Sequence, residues 1–252
     1  MIFKENIFYG NSFIVTGASS GIGAHAALIL NKLGAKIIAI GRDENKLLIQ
    51  KEQAKNPDNF ITISKDLSNF ENLDKWTLEL SKKHGGVNGA VLAAGFSTTI
   101  GINSPNYIKI AEKIFALNYF SNLQILKALT DKRIHKNKNS SFVWISSAAS
   151  IKPNKGLSLY GASKASANTT VKALTLEISP QHRINSILLG LIDTPMIYQT
   201  MDENAIQKNL QKSLLGIGKT EYVTNLICFL LSDASKWMTG QSIILDGGAT
   251  LT

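Results

Sequence analysis

Tyr160-Gly161-Ala162-Ser163-Lys164 sets a phenol and an ammonium four residues apart, a spacing that puts both on one face of an α-helix. Helix stability asks for no such pair, but chemistry gives it a use. A carbonyl that takes up a hydride must receive a proton at the resulting alkoxide, and a phenol supplies it if its pKa of about 10 is brought down. An ammonium at about 4 Å, in an effective dielectric near 20, attracts the phenolate by ~4 kcal/mol before desolvation, at most about three pKa units. The expectation is that Lys164 depresses Tyr160. Thirteen residues upstream, Ser147 follows the apolar run Phe142-Val143-Trp144-Ile145. A hydroxyl at the end of a strand can hold a carbonyl oxygen and stabilise charge developing on it. Singly, each of these residues is ordinary. Their joint spacing assigns Tyr160 as acid/base, Ser147 as oxyanion holder and Lys164 as the group that tunes the phenol.

A second constellation lies near the amino terminus. Thr16-Gly17-Ala18-Ser19-Ser20-Gly21-Ile22-Gly23 follows an apolar run and opens a helical pattern. Gly17 permits a tight turn, Gly21 lets a pyrophosphate approach the backbone, and Gly23 lets helix and strand pack closely. The helix start offers unpaired N–H groups and a positive dipole end to that phosphate. At the end of the next apolar run stand Gly41 and Arg42, where an NAD site usually carries a carboxylate for the adenosine ribose. An arginine there pairs with a 2′-phosphate that a carboxylate would repel. NADP(H) is the expected cofactor.

Both constellations need a frame to hold them. Seven short apolar runs qualify as strands: Phe13–Val15, Ile37–Ile40, Phe60–Ile63, Ala90–Leu92, Phe142–Ile145, Ile184–Leu189 and Ile243–Leu245. Most are apolar on successive residues, the pattern of strands buried on both faces. Helical patterns alternate with them: Ile22 to Leu33 ending at Gly34, one opened by Asp43-Glu44 and containing Leu47-Leu48, Asn69 to Lys83, Tyr107 to Lys132, Tyr160 to Ser179 ahead of Pro180, and Tyr222 to Ser232. The alternation predicts an α/β fold of one domain, a doubly wound seven-stranded parallel sheet with helices on both faces. The long departure from it, Leu191 to Gly218, reads as a substrate lid.

The bulk numbers are compatible with that reading. The 252 residues are 44% hydrophobic and 18% charged, enough to build a core. The net charge of +9 raises nucleic acid or an anionic membrane as partners. The lysines are nevertheless dispersed, and the densest stretch, Lys132, Arg133, Lys136 and Lys138, is broken by Ile134 and asparagines. No nucleic-acid or membrane partner is expected. The four histidines show no metal-ligand spacing, and the one cysteine, Cys228, sits in an apolar run as a core residue. No apolar stretch reaches the length of a membrane span, and the amino terminus lacks the regions of a signal peptide. The expected location is the cytoplasm.

The glycine turn, with its Gly-x-x-x-Gly-x-Gly spacing, together with Ser147, Tyr160 and Lys164, resembles the short-chain dehydrogenase/reductase family, and the resemblance runs through nearly the whole chain. It implies a Rossmann fold. It implies that Asn118, in Leu117-Asn118-Tyr119, holds a water in a proton relay behind Lys164, and that Lys164 and Tyr160 also meet the nicotinamide ribose. It carries over cofactor contacts to Gly17, Ser19, Ser20, Gly21, Ile22 and Gly23 in the turn. Asp66 and Leu67 are placed by the adenine, Ala94, Gly95 and Gly190 along the dinucleotide, and Ile192 and Thr194 at the nicotinamide carboxamide. The stretch from Phe229 through Met238-Thr239-Gly240-Gln241 to Asp246-Gly247-Gly248 resembles the family's subunit-packing signature, which implies a homotetramer or homodimer.

The closest likeness is to the 3-oxoacyl-(acyl-carrier-protein) reductase-like members, with four departures. Leu92-Ala93-Ala94-Gly95 replaces Asn-Asn-Ala-Gly, Leu189-Gly190 replaces Pro-Gly, and Leu176 and Gly216 stand where arginines are common. The function implied is hydride transfer between NADP(H) and a carbonyl or secondary alcohol, a ketoreductase acting on a small molecule or a carrier-bound acyl thioester. The basic stretch Lys132 to Lys138 could dock an acidic carrier, but a solvated helix end is the favoured reading of it. The alternative is a catalytically inactive NADP(H)-binding regulatory or scaffold protein, which a broken trio would mark. A sugar-nucleotide epimerase of the extended type would need a longer chain and Gly-x-x-Gly-x-x-Gly spacing. Around the expected lid, Met196, Ile197, Tyr198 and Met201 offer an apolar surface, while Lys152, Asn154 and Lys155 offer polar groups suited to a sugar or a carboxylate.

Overall fold

In the computed structural model, which describes residues 3–131 and 139–252, all seven apolar runs are strands of one parallel sheet. They are β1 (Ser12–Thr16), β2 (Lys36–Gly41), β3 (Phe60–Ser64), β4 (Gly89–Leu92), β5 (Ser140–Ser147), β6 (His182–Leu189) and β7 (Ser242–Leu245). Their order across the sheet is β3-β2-β1-β4-β5-β6-β7. The chain winds outward from β1 in one direction, then crosses to β4 and winds outward in the other. The crevice that this reversal opens lies beyond the carboxyl ends of β1 and β4, where ligands bind in doubly wound sheets.

The helices are α1 (Gly21–Lys32), α2 (Glu44–Gln53), α3 (Leu73–Lys83), α4 (Tyr107–Phe115), α5 (Ser121–Leu129), α6 (Ser158–Ile178), α7 (Pro195–Thr200), α8 (Glu203–Lys212) and α9 (Thr220–Leu231). One face of the sheet packs Val15, Ile37 and Val143 against Leu30 of α1, Leu47 of α2 and Ile227 of α9. The other packs Ile14, Phe142 and Trp144 against Leu80 of α3, Ile125 of α5 and Val171 of α6. Burial on both faces explains why the strands read as continuous apolar runs. Cys228 sits in the first of these cores, where burial pushes its thiol up to about 12, the chemistry of an inert core residue.

Two elements differ from their sequence patterns. The third helix begins at Leu73, later than expected, because Asn72 takes a left-handed conformation (φ 54°) at its start. The helix expected from Tyr107 to Lys132 is interrupted by a π turn at Ala116–Phe120. Side chains satisfy carbonyls there: Ser121 Oγ donates to Leu117 O (2.6 Å) and Asn122 Nδ2 to Asn118 O (2.9 Å). The basic stretch at 132–138 lies outside the described residues. The 191–218 excursion carries α7 and α8 and is closed at its base, where Gly218 N donates to Leu191 O (2.9 Å) and Asp193 N to Gly218 O (2.8 Å). The stretch after α9 also ties into the sheet. Arg183 donates to the carbonyls of Leu230, Ser232, Ser235 and Met238, and Gly240 N donates to Ile184 O. Among the described residues, no helix is long and apolar enough to cross a membrane.

Candidate active site

Ser147 is the last residue of β5 and caps the short 3₁₀ turn Ala148–Ser150, its Oγ accepting from Ala149 N at 3.1 Å. A second tether fixes its backbone: Ser150 Oγ donates to Ser147 O (2.6 Å), and Asn168 Nδ2 of α6 donates to Ser150 Oγ (2.7 Å). The hydroxyl is therefore held at a strand end by strand, turn and helix together.

Tyr160 and Lys164 lie one turn apart near the start of α6, as their spacing requires. Lys164 is 4% exposed. Its Nζ donates to Ile145 O at 2.9 Å and lies 5.7 Å from the centroid of the Tyr160 ring. Burial pulls this ammonium down to about 8, because a low-dielectric surrounding disfavours the charged form. For the phenol the expectation is overturned. Burial pushes the Tyr160 pKa up, and the hydrogen bond to the Ser147 side chain only partly opposes it. The ammonium bonds a backbone carbonyl and faces the ring, so its pull on the phenol oxygen is weaker than a 4 Å contact would give.

Asn118 sits within the π turn, a place where such bulges often mark functional sites. Its side chain clasps the segment after β4: Oδ1 accepts from Phe96 N (2.7 Å), and Nδ2 donates to Phe96 O (2.9 Å) and to Ser163 Oγ (3.0 Å). Both N–H donors of the amide are engaged, while Oδ1 accepts one bond and keeps a second lone pair. The backbone carbonyl of Asn118 accepts from Asn122 and keeps its second lone pair. Gly95 lies against both groups, since a Cβ there would come 3.4 Å from Asn118 Oδ1 and 3.5 Å from Lys164 Nζ.

The glycine turn is built for close approach. Gly17 has φ +69°, and a Cβ on it would meet the Ala93-Ala94 backbone at 3.0 Å. A Cβ on Gly23 would stand 2.4 Å from Gly17 O. Ser20 caps α1 without a side-chain hydrogen bond, and no acidic residue occupies the first turn, so first-turn N–H groups face the groove. Thr16 Oγ1 accepts from both Ala93 N (3.0 Å) and Ala94 N (3.1 Å), which ties β1 to β4 without the family's asparagine side chains.

The groove outside the turn is lined by Gly17, Ser19, Ser20, Gly21, Ile22, Gly23, Arg42, Leu67, Ala94, Gly95 and Thr194, all expected, and by others that were not, Lys65 among them, while the expected Asp66 does not line it. Ser19 lies against Gly41, next to the exposed Arg42. Asp66 turns its Oδ1 to Ser68 N (2.9 Å) and Ser68 Oγ (2.8 Å), and those bonds, with Arg42 and Lys65 nearby, hold its carboxyl below the usual range. Ser147, Tyr160 and Lys164 share one cavity with Gly190, Ile192 and Thr194, and this cavity adjoins the groove through Ile22, Ala93 and Gly95. Of the apolar residues expected along the excursion, Met196, Ile197 and Met201 line this cavity. Tyr198 instead points outward, 62% exposed, and donates to Asp193 Oδ1.

A family model described as enoyl-(acyl carrier protein) reductase matches residues 17–250. The L-xylulose reductase of Caenorhabditis elegans is 30% identical over 245 residues, 96% of each chain. The chain belongs to the short-chain dehydrogenase/reductase family. Among other members, the 3-oxoacyl-(acyl-carrier-protein) reductase FabG of Rickettsia typhi is 30% identical over 246 residues, covering 96% of this chain and 97% of that one. A short-chain type dehydrogenase/reductase from Mycobacterium ulcerans superposes with a TM-score of 0.88 at 28% identity, covering 97% of this chain and 91% of the other. Membership makes this protein an oxidoreductase of carbonyl and alcohol groups that uses a nicotinamide cofactor. Two family departures have a visible setting in this dehydrogenase/reductase. Leu176 is 85% exposed on α6, and Gly216 has φ +75° with nothing within 4 Å of a Cβ added there.

Lys65 carried no sequence signal, because only the pairing of β2 with β3 brings its strand end beside Arg42. Asn168 is likewise invisible from spacing. It is one helical turn beyond Lys164, and only the tertiary fold sets it against Ser150.

Proposed function

We propose that this chain is an NADP(H)-dependent ketoreductase of the 3-oxoacyl-(acyl-carrier-protein) reductase-like type, working in the direction of carbonyl reduction. The observation that carries the reading is the meeting of Ser147, Tyr160 and Lys164 in one cavity that opens onto the dinucleotide groove. The groove suits a dinucleotide: Gly17 and Gly23 leave no room for side chains within the turn, and the cations Arg42 and Lys65 stand at the ribose end. Ser19, Ser20, Gly21 and Ile22 would hold the phosphates, Arg42 the 2′-phosphate, and Gly190, Ile192 and Thr194 the carboxamide end. When bound, the reduced nicotinamide supplies the hydride.

Ser147 Oγ and the Tyr160 hydroxyl together hold the substrate's carbonyl oxygen, so that both donors already face the charge that develops on it. Tyr160 then gives its proton to that oxygen. A phenol held neutral by burial is in the correct state to donate. The Lys164 ammonium lies behind the ring and stabilises the phenolate left after transfer. Asn118 positions the floor of the site through Phe96 and Ser163, and its free carbonyl lone pair is where a relay water would bind. The excursion with α7 and α8 acts as the lid. Trp237, 99% exposed, and Leu251, 86% exposed, give apolar surface for assembly as a homotetramer or homodimer.

The test is NADPH oxidation with a panel of ketones and acyl thioesters, in the wild type and in Tyr160→Phe. The variant keeps the ring and loses the proton. Reduction by the wild type, lost by about a thousandfold in Tyr160→Phe with NADPH affinity retained, is the expected result. Equal rates in the two proteins would remove Tyr160 from the reaction.

A further inference from the structure

The last three residues of β5 are each tied to one turn of α6. Lys164 Nζ donates to Ile145 O at 2.9 Å, and Ser146 Oγ donates to Lys164 O at 3.3 Å. Ser147 O accepts from Ser150 Oγ at 2.6 Å, which in turn accepts from Asn168 Nδ2 at 2.7 Å. Gly161, Lys164 and Asn168 share a face of the helix. That face comes in close, since a Cβ on Gly161 would stand 2.7 Å from Ala149 O. The strand end that carries Ser147 is thus held in register with the helix that carries Tyr160. Two of the ties are made by Lys164 itself. The third is made by Ser150 and Asn168, neither of which lines the catalytic cavity or the dinucleotide groove.

The hydrogen bonds of this third tie run one way. Ser147 O can only accept, so it takes the single proton of Ser150 Oγ, and the Asn168 amide must present its N–H to Ser150. Asn168 is 8% exposed, and its Oδ1 has no protein partner among the described residues. Its neighbours on the buried face of α6 include Ala167 and Val171. An amide oxygen left unpaired in such a place is costly, and an apolar side chain would pack there without that cost. Helix packing gives no reason for an amide at this position, whereas the bond to Ser150 does. What the tie controls is the Ser147 hydroxyl. The Ala148–Ser150 turn supplies Ala149 N, which donates to Ser147 Oγ at 3.1 Å and leaves that hydroxyl bonded to the Tyr160 side chain. We propose that Asn168, acting through Ser150, is a positioning residue that holds the turn in place and so keeps the Ser147 hydroxyl aimed at the oxygen that Tyr160 protonates. This rests on the ketoreductase reading above and extends the site beyond its trio.

The test breaks the tie from either end, with Asn168→Leu and Ser150→Ala, and joins the two in a double variant. Ser150→Thr keeps the hydroxyl. Ser166→Ala is the control, because it deletes a different side-chain bond of α6, from Ser166 Oγ to Ala162 O. Melting temperatures check folding, and the half-buried Ser150 keeps the test open should Asn168→Leu fail to fold. Two quantities are measured: steady-state reduction of a ketone by NADPH, and amide exchange at Ala149 by NMR. The expected result is a fall in kcat of about tenfold in each single variant, since a slightly misplaced donor is felt in the transition state. The double variant falls no further, KM for NADPH is unchanged, Ser150→Thr restores kcat, and the control matches wild type. Exchange at Ala149 quickens in Asn168→Leu and Ser150→Ala, while the β5 amides stay protected. Wild-type kcat in both single variants, an equal loss in the control, a loss that appears in KM for NADPH instead of kcat, or additive losses in the double variant overturns the proposal. If the wild type reduces none of the ketones, the ketoreductase reading fails. The tie is then decided by exchange at Ala149 alone: faster exchange in both single variants sustains it, and wild-type exchange in either refutes it.

Discussion

On the proposed NADP(H) reading, removing the guanidinium of Arg42 should abolish the preference for NADPH over NADH. Arg42 is exposed at the end of β2, beside Ser19 and within the electrostatic reach of Asp66. Lys65 stands on the neighbouring strand's end, its Nζ 5.3 Å from the centroid of the Trp76 ring. The local cations are thus two against one carboxylate, and Arg42→Ala leaves one against one. A guanidinium and a phosphate at about 4 Å attract by between ~1 and ~4 kcal/mol as the effective dielectric falls from 80 to 20. Solvent exposure keeps Arg42 toward the lower half of that range, about 2 kcal/mol, which is roughly thirtyfold in Kd. The assay is calorimetric titration of NADPH and NADH into wild type and Arg42→Ala at two salt concentrations. NADPH should weaken by roughly thirtyfold at low salt and less at high salt, while NADH changes little. Equal weakening of both cofactors would mean that the variant disturbs the turn, and tighter binding of NADH by the wild type would refute the electrostatic reasoning outright.

Three further outcomes follow from the site. Reduction needs Tyr160 protonated and Lys164 charged, so kcat/KM for carbonyl reduction should fall as pH rises through about 8, the value to which burial brings Lys164; a profile flat from neutrality to pH 9 would contradict this assignment. The same shift has a stability sign. The folded pKa lies below the unfolded value of 10.5, so the unfolded chain binds the extra proton between them, and wild type should gain stability relative to Lys164→Met as pH rises from about 8 toward 10.5, by up to about 3 kcal/mol in denaturant melts. Gly23→Ala puts a methyl 2.4 Å from Gly17 O, and α1 must withdraw from β1 to admit it. Overpacking of that kind costs about 1–3 kcal/mol, and a thermal melt with NADPH titration should show both a lower melting temperature and weaker binding; wild-type values for both would show that the turn tolerates a side chain.

The frame and the candidate site were largely legible in the chain. Continuous apolar runs such as Ile37–Ile40 announced strands covered on both faces, because such a run has only one place to hide. The Gly17–Gly23 turn and the Tyr160–Lys164 pair were legible because each is a local motif, its geometry set by backbone conformation and helical period. The π turn around Asn118 was not, since a continuous helical pattern contains no mark of one extra residue in a turn. Its stability depends on side-chain bonds from Ser121 and Asn122 that are seen only in place.

What the sequence determined by itself was therefore the type of residue at each candidate position and the order of the elements that carry them. The tertiary structure decided how those residues behave. It raised Tyr160 where the pair alone suggested a depressed phenol, because burial acts on every charged form while an ammonium acts only at its actual distance. It turned Tyr198 out of the cavity, set Lys65 beside Arg42, and brought Lys212 to Asn154 across 58 residues of chain. Desolvation and long-range neighbours are properties of the packed fold, and no local spacing encodes them.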